Sequence, residues 1–392
     1  MPDQPLPRAA RSERDPRLDV FRGLALVMIF INHVPGTIYE NFTSRNFGFS
    51  DAAEGFVLMS GVSAGLAYGM SFRAPPYWPG LSRVWGRVWT LYLVHLMISV
   101  WALAIAATAA LHFGAVNRLF LNEINFLFES PLAFLIGLPL MTLQLGYINI
   151  LPLYAVLMFC APLMLWVALR KPWALLAFSI LLWVVAGFSG WNFPSYPKPG
   201  GWFFNPLTWQ IVFIFGIVTG VELKQGRRLV PIRRDLQWIS GIYLLISALL
   251  AQIHLLGDAF NTWLWQALQD GWPRFITTID KMHETWPRLL HILALGYLLS
   301  TLGWVRTAAA SRFAAPLALL GRHSLPVFAC GSLLALTGQS IKEVVNGGFA
   351  LDSAIIFAGL LIQLALAWAR ERHRQSTRKA AHRNQIPTVT AR

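Results

Sequence analysis

Ten stretches of this chain are apolar for close to the length a helix needs to cross a bilayer, and nothing else constrains its fold so tightly. A hydrocarbon core about 30 Å thick asks for about 20 consecutive apolar residues. The runs are 18–38, 54–70, 84–111, 150–169, 172–188, 208–221, 236–256, 289–305, 316–338 and 353–369. An eleventh stretch, 131–147, is ambiguous: it is short, holds Pro131, Gly137, Pro139 and Gly146, and carries Gln144. Charged residues make up 13% of the chain, against about 25% in a soluble domain. With 17 Trp and 26 Phe besides, one soluble core cannot absorb so much apolar side chain. Disordered, fibrous and disulfide-framed secreted classes are excluded with it. The expected fold class is all-α, a polytopic integral membrane protein.

Smaller signals agree. Cys160 and Cys330 sit inside apolar runs and read as small buried apolar residues, not a disulfide or a metal site. Metal-ligand spacings, phosphate-binding glycine loops and internal repeats are lacking, so no metal is expected. The first apolar run is too long for a signal peptide and lacks a small-x-small cleavage site.

The net charge of +14 would suggest nucleic acid in a soluble protein, but topology accounts for it. Cytoplasmic loops of membrane proteins collect Lys and Arg. With 131–147 left out of the count and the N-terminus inside, 25 of the 32 Lys and Arg fall on the inner side. They include Arg73, Arg83, Arg87, Arg170, Lys171, the cluster from Lys224 to Arg234, and Arg370 onward. Counting 131–147 as a span would turn Arg170, Lys171 and the 224–234 cluster outward. The sequence therefore predicts ten spanning helices with both termini cytoplasmic, and 131–147 as a re-entrant or interfacial segment packed against protein. Residues 1–16 become a basic cytoplasmic tail, 17–370 the membrane-embedded domain, and 371–392 a disordered basic tail near anionic lipid. Two long outer loops, 191–207 and 257–288, are rich in Trp, Asn, Asp and Pro. Their Trp suit either interfacial anchoring or stacking on a sugar ring.

Titratable groups inside spans are functional hypotheses by default. The first span carries Asp19, Arg22 and His33. Arg22 and His33 are eleven residues apart, close to three turns, so they share a helix face about 16 Å apart along the axis. Asp19 lies one turn below Arg22, and Glu40 about two turns beyond His33. A local ion pair for Asp19 and Arg22, and an inter-helix contact for His33, are the bland alternatives. Pro35-Gly36 follows His33 and opens the helix end where a substrate could approach. Glu54 begins the second span at the level of His33, where a carboxylate orients an imidazole and supports it as a base; complementing the helix dipole is the alternative. Ser60-Gly61 suits close packing with a hydroxyl facing a cavity. Arg83 and Arg87, i and i+4 on the third span, suit phosphate binding or positive-inside anchoring, and Arg322-His323-Ser324 opens a later span at the same level. His95 and His291 read as packing or hydrogen-bonding groups.

These motifs carry a resemblance. Leu18-Asp-Val-Phe-Arg-Gly-Leu-Ala with His33, Glu54-Gly-Phe-Val-Leu-Met-Ser-Gly, and Arg83-x-x-x-Arg87 with Tyr92 resemble membrane acyltransferases of the acyltransferase-3 superfamily. The family's usual paired Phe is here Phe56-Val57. Ile31-Asn-His33-x-Pro35, Leu151-Pro-Leu-Tyr-Ala-Val, Asn205-Pro-x-x-Trp209-Gln210 with Gly216, and Leu320-Gly-Arg-His-Ser-Leu-Pro-Val-Phe resemble the OpgC group, succinyltransferases of osmoregulated periplasmic glucans. The likeness covers residues 17 to 370. It implies transfer of an acyl group, succinyl for this group, from cytoplasmic acyl-CoA to a periplasmic glucan hydroxyl, in a multi-pass bacterial inner-membrane protein. It assigns catalysis to His33 and Glu54 and the donor to Asp19, Arg22, Arg83, Arg87 and Arg322. Asn205, Trp209, Gln210 and Glu40 are the candidates for the acceptor. The bilayer, acyl-CoA and glucan are the implied partners, with no nucleic acid; oligomeric state is left open. The rival class is a transporter or flippase for a glycan or lipid-linked substrate, which would spread charge through several helices at mid-membrane. Here Arg gathers at the inner rim and His and Glu at the outer.

Overall fold

The computed structural model describes residues 15–383; the expected basic tail 1–16 lies almost wholly outside the described residues, as does 384–392. Helices dominate, and among the described residues the only β pairing is an isolated bridge between Pro194 and Gly201. In chain order they are α1 (Pro16–Asn32), α2 (Ala52–Tyr68), α3 (Trp78–Phe113), α4 (Phe126–Glu129), α5 (Pro131–Gly137), α6 (Ile150–Ala168), α7 (Pro172–Ser189) and α8 (Pro206–Lys224). The second half holds α9 (Arg234–Gln252), α10 (His254–Gln269), α11 (Arg274–Thr277), α12 (Trp286–Thr301), α13 (Gly303–Ala310), α14 (Ala315–Arg322), α15 (Ser324–Val344) and α16 (Gly348–Arg383).

The sequence marks the helix starts. Asp15 caps α1 by accepting from the Arg17 N–H at 3.0 Å, and Asn205 caps α8 by accepting from Leu207 at 3.0 Å. Asp51 and Glu54 form a reciprocal capping box on α2, which satisfies two backbone donors that have no partner within the helix. Proline opens α1, α3, α7, α8 and α12, where its missing N–H costs nothing.

Among the described residues, seven helices are long and apolar enough to cross a membrane, and nine if two bent pairs count as spans. The pairs are α9 with α10, bent by 98°, and α12 with α13, bent by 81°. The expected count of ten is therefore met only in part. The helix at the first run, α1, stops at Asn32 after 17 residues, short for a span, because Pro35-Gly36 follows. The stretch 131–147 forms no long helix: after α5 the chain turns, and Leu143, Leu145 and Ile148 are buried. Cys160 is exposed and Cys330 half-buried, both unpaired. Cys160 thus departs from the buried reading, since an outward position on a span faces lipid at no cost to an apolar side chain.

Of the seven, α8 is the most enclosed, with 78% of its apolar window inside the protein, and α16 the least, with 17%. The burial of α8 rests on small residues. Gly61 and Gly65 of α2 face Gly216 and Gly220 of α8, and a methyl added at Gly220 would lie 2.2 Å from the Val62 carbonyl oxygen. Without a hydrophobic force between helices in lipid, such close backbone approach supplies the packing. Five helices close a ring by neighbouring contacts: α1 on α2, α2 on α6, α6 on α3, α3 on α15, and α15 back on α1.

Candidate functional site

The five-helix ring encloses a cavity of about 240 Å³ to which each helix contributes, Arg22, Arg87 and Ser324 among the lining residues. Arg22 donates to the Met59 carbonyl at 3.2 Å and to the Ser63 hydroxyl. Ser60 and Ser63 line the same space, so the hydroxyl expected beside Gly61 does face a cavity. The lining on α2 runs from Tyr68 to Phe56, twelve residues and about 18 Å by helix rise. On α6 it reaches Ile150 and Leu151. A modest volume drawn out over that length makes a narrow slot with two guanidinium groups on its wall.

His33 lies just beyond the other end. It caps the C-terminus of α1, half-buried, with the Tyr147 ring 4.5 Å away between centroids. Tyr147 stands three residues before Ile150, which lines the slot. The backbone around His33 is gripped by α15: Gln339 donates to the His33 carbonyl at 2.5 Å and Lys342 to the Pro35 carbonyl at 2.9 Å. Arg118 holds Gln339 at 2.8 Å and Glu343 at 2.5 Å. The imidazole itself makes no hydrogen bond among the described residues, which leaves it open to a substrate proton.

The expected pairing of Glu54 with His33 is not formed. Glu54 is fully buried, and its oxygens are taken by the Asp51 N–H at 3.0 Å and by the Arg288 guanidinium. Arg288 also stands 3.8 Å from Asp51 and 3.9 Å from Glu284, and Lys281 pairs with Asp51. Two cations thus face three carboxyl groups. Glu284, wholly buried with neither oxygen hydrogen-bonded among the described residues, carries the imbalance. Burial, with the Glu54 and Asp51 charges beside it, holds its carboxyl well above the usual carboxylate range. A raised folded-state value costs stability once pH rises above the unfolded value. Glu284→Gln is therefore expected to raise the thermal midpoint at pH 8 and to leave it nearly unchanged at pH 5; a lower midpoint at pH 8 would contradict the neutral reading of Glu284.

The remaining candidates fall into two groups. At the Arg22 end Asp19 is buried near the start of α1. Arg83 turns away from the cavity, donating to the Ser71 hydroxyl and to Pro79 at 3.3 Å. Arg322 is exposed at the end of α14, next to His323, which bonds Glu371 at 2.9 Å. Only Arg22 and Arg87 among the donor candidates line the slot. At the His33 end Asn205, Trp209 and Gln210 are buried, and the protein uses their polar groups itself. Asn205 donates to Trp191 at 2.6 Å, Trp209 to the Lys281 carbonyl at 2.8 Å, and Gln210 to Ser179 at 2.9 Å. Asn205 and Trp209 lie against the backbone of Met282 and Lys281 while Gln210 ties α8 to α7, and no sugar can reach the Trp209 ring as it stands. Glu40 accepts from the Gly36 N–H at 3.0 Å and lies 3.6 Å from Arg45. His291 hydrogen-bonds Ser50 at 2.6 Å. His95 is fully buried with neither ring nitrogen hydrogen-bonded among the described residues.

Sequence reading missed Lys281, Glu284 and Arg288, which charge counting places in an outer loop. One signal was available: Glu284 and Arg288 are i and i+4 across a helix start.

Folded from motifs that converge on one slot, with a histidine beyond its end, the chain has the layout of a polytopic membrane protein with an internal site. A family model described as OpgC protein matches residues 14–375, and the chain belongs to the OpgC family. No curated protein and no solved structure gives a match to it.

Proposed function

We propose that this protein is an inner-membrane O-acyltransferase that carries an acyl group, succinyl in the first instance, from cytoplasmic acyl-CoA to a hydroxyl of a periplasmic glucan. In this reading α1 and the two bent pairs complete ten spans, with both termini in the cytoplasm. The observation that carries the reading is the slot: arginines on its wall, a length near 18 Å, and His33 past its far end. The nucleotide phosphates of the donor would meet Arg87 and Arg22 at the inner mouth, where charge-assisted hydrogen bonds are strong, with Arg83 and Arg322 at the rim. The thin pantetheine arm suits a slot of this length and would bring the thioester toward His33.

The chemistry then balances. The acceptor hydroxyl gives its proton to a His33 ring nitrogen as its oxygen bonds the thioester carbon. The carbon–sulfur bond breaks, and the imidazolium returns the proton to the departing thiolate, leaving an ester and free CoA. Asp51 and Lys281 set the field around the ring, and Glu54 acts through Arg288 to hold that cluster at the N-terminus of α2. Positioning of the two substrates supplies the larger share of the rate. A flippase finds less support, since the buried charge is concentrated in the outer cluster, which plugs a path instead of lining one.

Purified protein given labelled succinyl-CoA and glucan should yield labelled glucan ester and free CoA. Movement of glucan with no ester formed would sink the reading. For the donor site, Arg87→Ala is expected to raise the acyl-CoA KM about tenfold or more with kcat little changed. Arg83→Ala should have a smaller effect; equal losses would place the phosphates on the outside of α3 instead.

A further inference from the structure

A second cavity, about 320 Å³, opens in the outer half between the loop after α1 and the bend from α9 into α10. None of the acceptor candidates Glu40, Asn205, Trp209 and Gln210 is on its wall; Arg45, Phe49, His254, Asp258, Phe260 and Asn261 are, with Arg288 at its inner limit. We propose that this cavity is an anchoring subsite for a glucose unit of the acceptor glucan, one further along the chain from the unit that is acylated. The inference rests on the transferase reading above and names where its acceptor is held.

The wall has the two kinds of surface a pyranose asks for. A sugar ring presents an apolar face and a rim of hydroxyls. Phe49 and Phe260 stack at 6.2 Å and 25°, and Phe260 continues onto Trp263 at 6.1 Å and 21°. These rings step from the cavity out to Trp263, which is 61% exposed. His254, Asp258 and Asn261 follow at i, i+4 and i+7, one face of α10, all exposed. Their side chains make no hydrogen bond to the protein among the described residues, so planar acceptors and donors stand unspent beside the aromatic platform. The volume matches the small end of ligand pockets.

The cavity is also tied to His33 on both sides. Its inner limit, Arg288, is the residue that binds Glu54 and stands 3.8 Å from Asp51. Its other wall is the loop that leaves His33, where Glu40 bridges the Gly36 N–H and Arg45. The charge cluster separates the cavity from the imidazole, which is why the anchored unit is a neighbour of the reacting one. The 98° bend between α9 and α10 lays α10 across the outer mouth and leaves room for a polymer to run outward past Trp263.

The test compares a linear glucose oligosaccharide with methyl glucoside as acceptors for the full-length protein in lipid vesicles, with labelled succinyl-CoA. The wild type is expected to show a KM at least about tenfold lower for the oligosaccharide, as two or three added hydrogen bonds would give. Phe260→Ala and, separately, Asp258→Asn should bring the two acceptors to within about threefold, with the acyl-CoA KM unmoved; a purely structural role would not alter the ratio. Asp258 is exposed, so its variant keeps the test clear of misfolding. Retention of the full oligosaccharide preference by both variants, or its absence from an active wild type, overturns the subsite while leaving the transferase standing. Transfer to neither acceptor, together with no breakdown of succinyl-CoA, removes the transferase reading and the subsite with it.

Discussion

Replacement of His33 by alanine is expected to lower acyl transfer by about 10²- to 10⁴-fold, the usual contribution of a positioned general base. The loss should fall on kcat. The KM for acyl-CoA should stay within about twofold, because Arg22 sits about 16 Å away by helix rise and the phosphates never touch the imidazole. The fold should survive, since the contact that anchors this turn is made to the His33 backbone carbonyl by Gln339 at 2.5 Å and is indifferent to the side chain. Near wild-type turnover in this variant would move the proton transfer elsewhere. Binding of acyl-CoA by the inactive variant, measured directly, separates lost chemistry from lost structure.

The second large effect concerns stability. Arg288→Met is expected to cost about 3–5 kcal/mol, because removing one partner of a buried ion pair strands the other. Glu54, with no exposure at all, would lose the guanidinium that accompanies its charge, and Asp51 would keep Lys281 and its cap bond to the Ala53 N–H. The readout is the thermal midpoint in detergent, or the folded yield if the variant collapses. The double variant Arg288→Met with Glu54→Gln should recover much of the loss, since a neutral amide no longer needs the cation. Equal stability of Arg288→Met and the wild type would mean that the cluster is wetter and less coupled than its burial implies.

Much of the fold could be read from the chain. Apolar length marks the candidate segments, and each of the ten runs overlaps a helix or a helix pair, although among the described residues seven helices, or nine with the two bent pairs, are long and apolar enough to cross a membrane. What hydropathy cannot fix is where a long apolar stretch breaks. The bend at Ile253 and the one at Leu302 carry no proline, and each is decided by packing. The inner site was largely legible because Arg22, Ser60 and Arg87 lie on helices, where spacing translates directly into facing. The outer site was less so. Lys281, Glu284 and Arg288 sit at and just before a helix start, and no periodicity tells that the segment folds inward onto Asp51 and Glu54. For the same reason Trp209, conspicuous with Gln210 in sequence as a polar interruption of an apolar run, proved to support that segment, and Gln210 to tie α8 to α7. Their hydrogen bonds to Lys281 and Ser179 are long-range pairings that a single sequence does not display.

The central claim is that a donor entering at the arginine level reacts with an acceptor held at the opposite face. Reconstitution into vesicles with known orientation tests it directly: labelled succinyl-CoA is supplied on the face that carries Arg87, and glucan is enclosed on the face that carries His33. Labelled glucan ester should form in this arrangement, and should not form when donor and acceptor are both confined to the His33 face. Equal ester formation with both substrates on that one face would contradict the account.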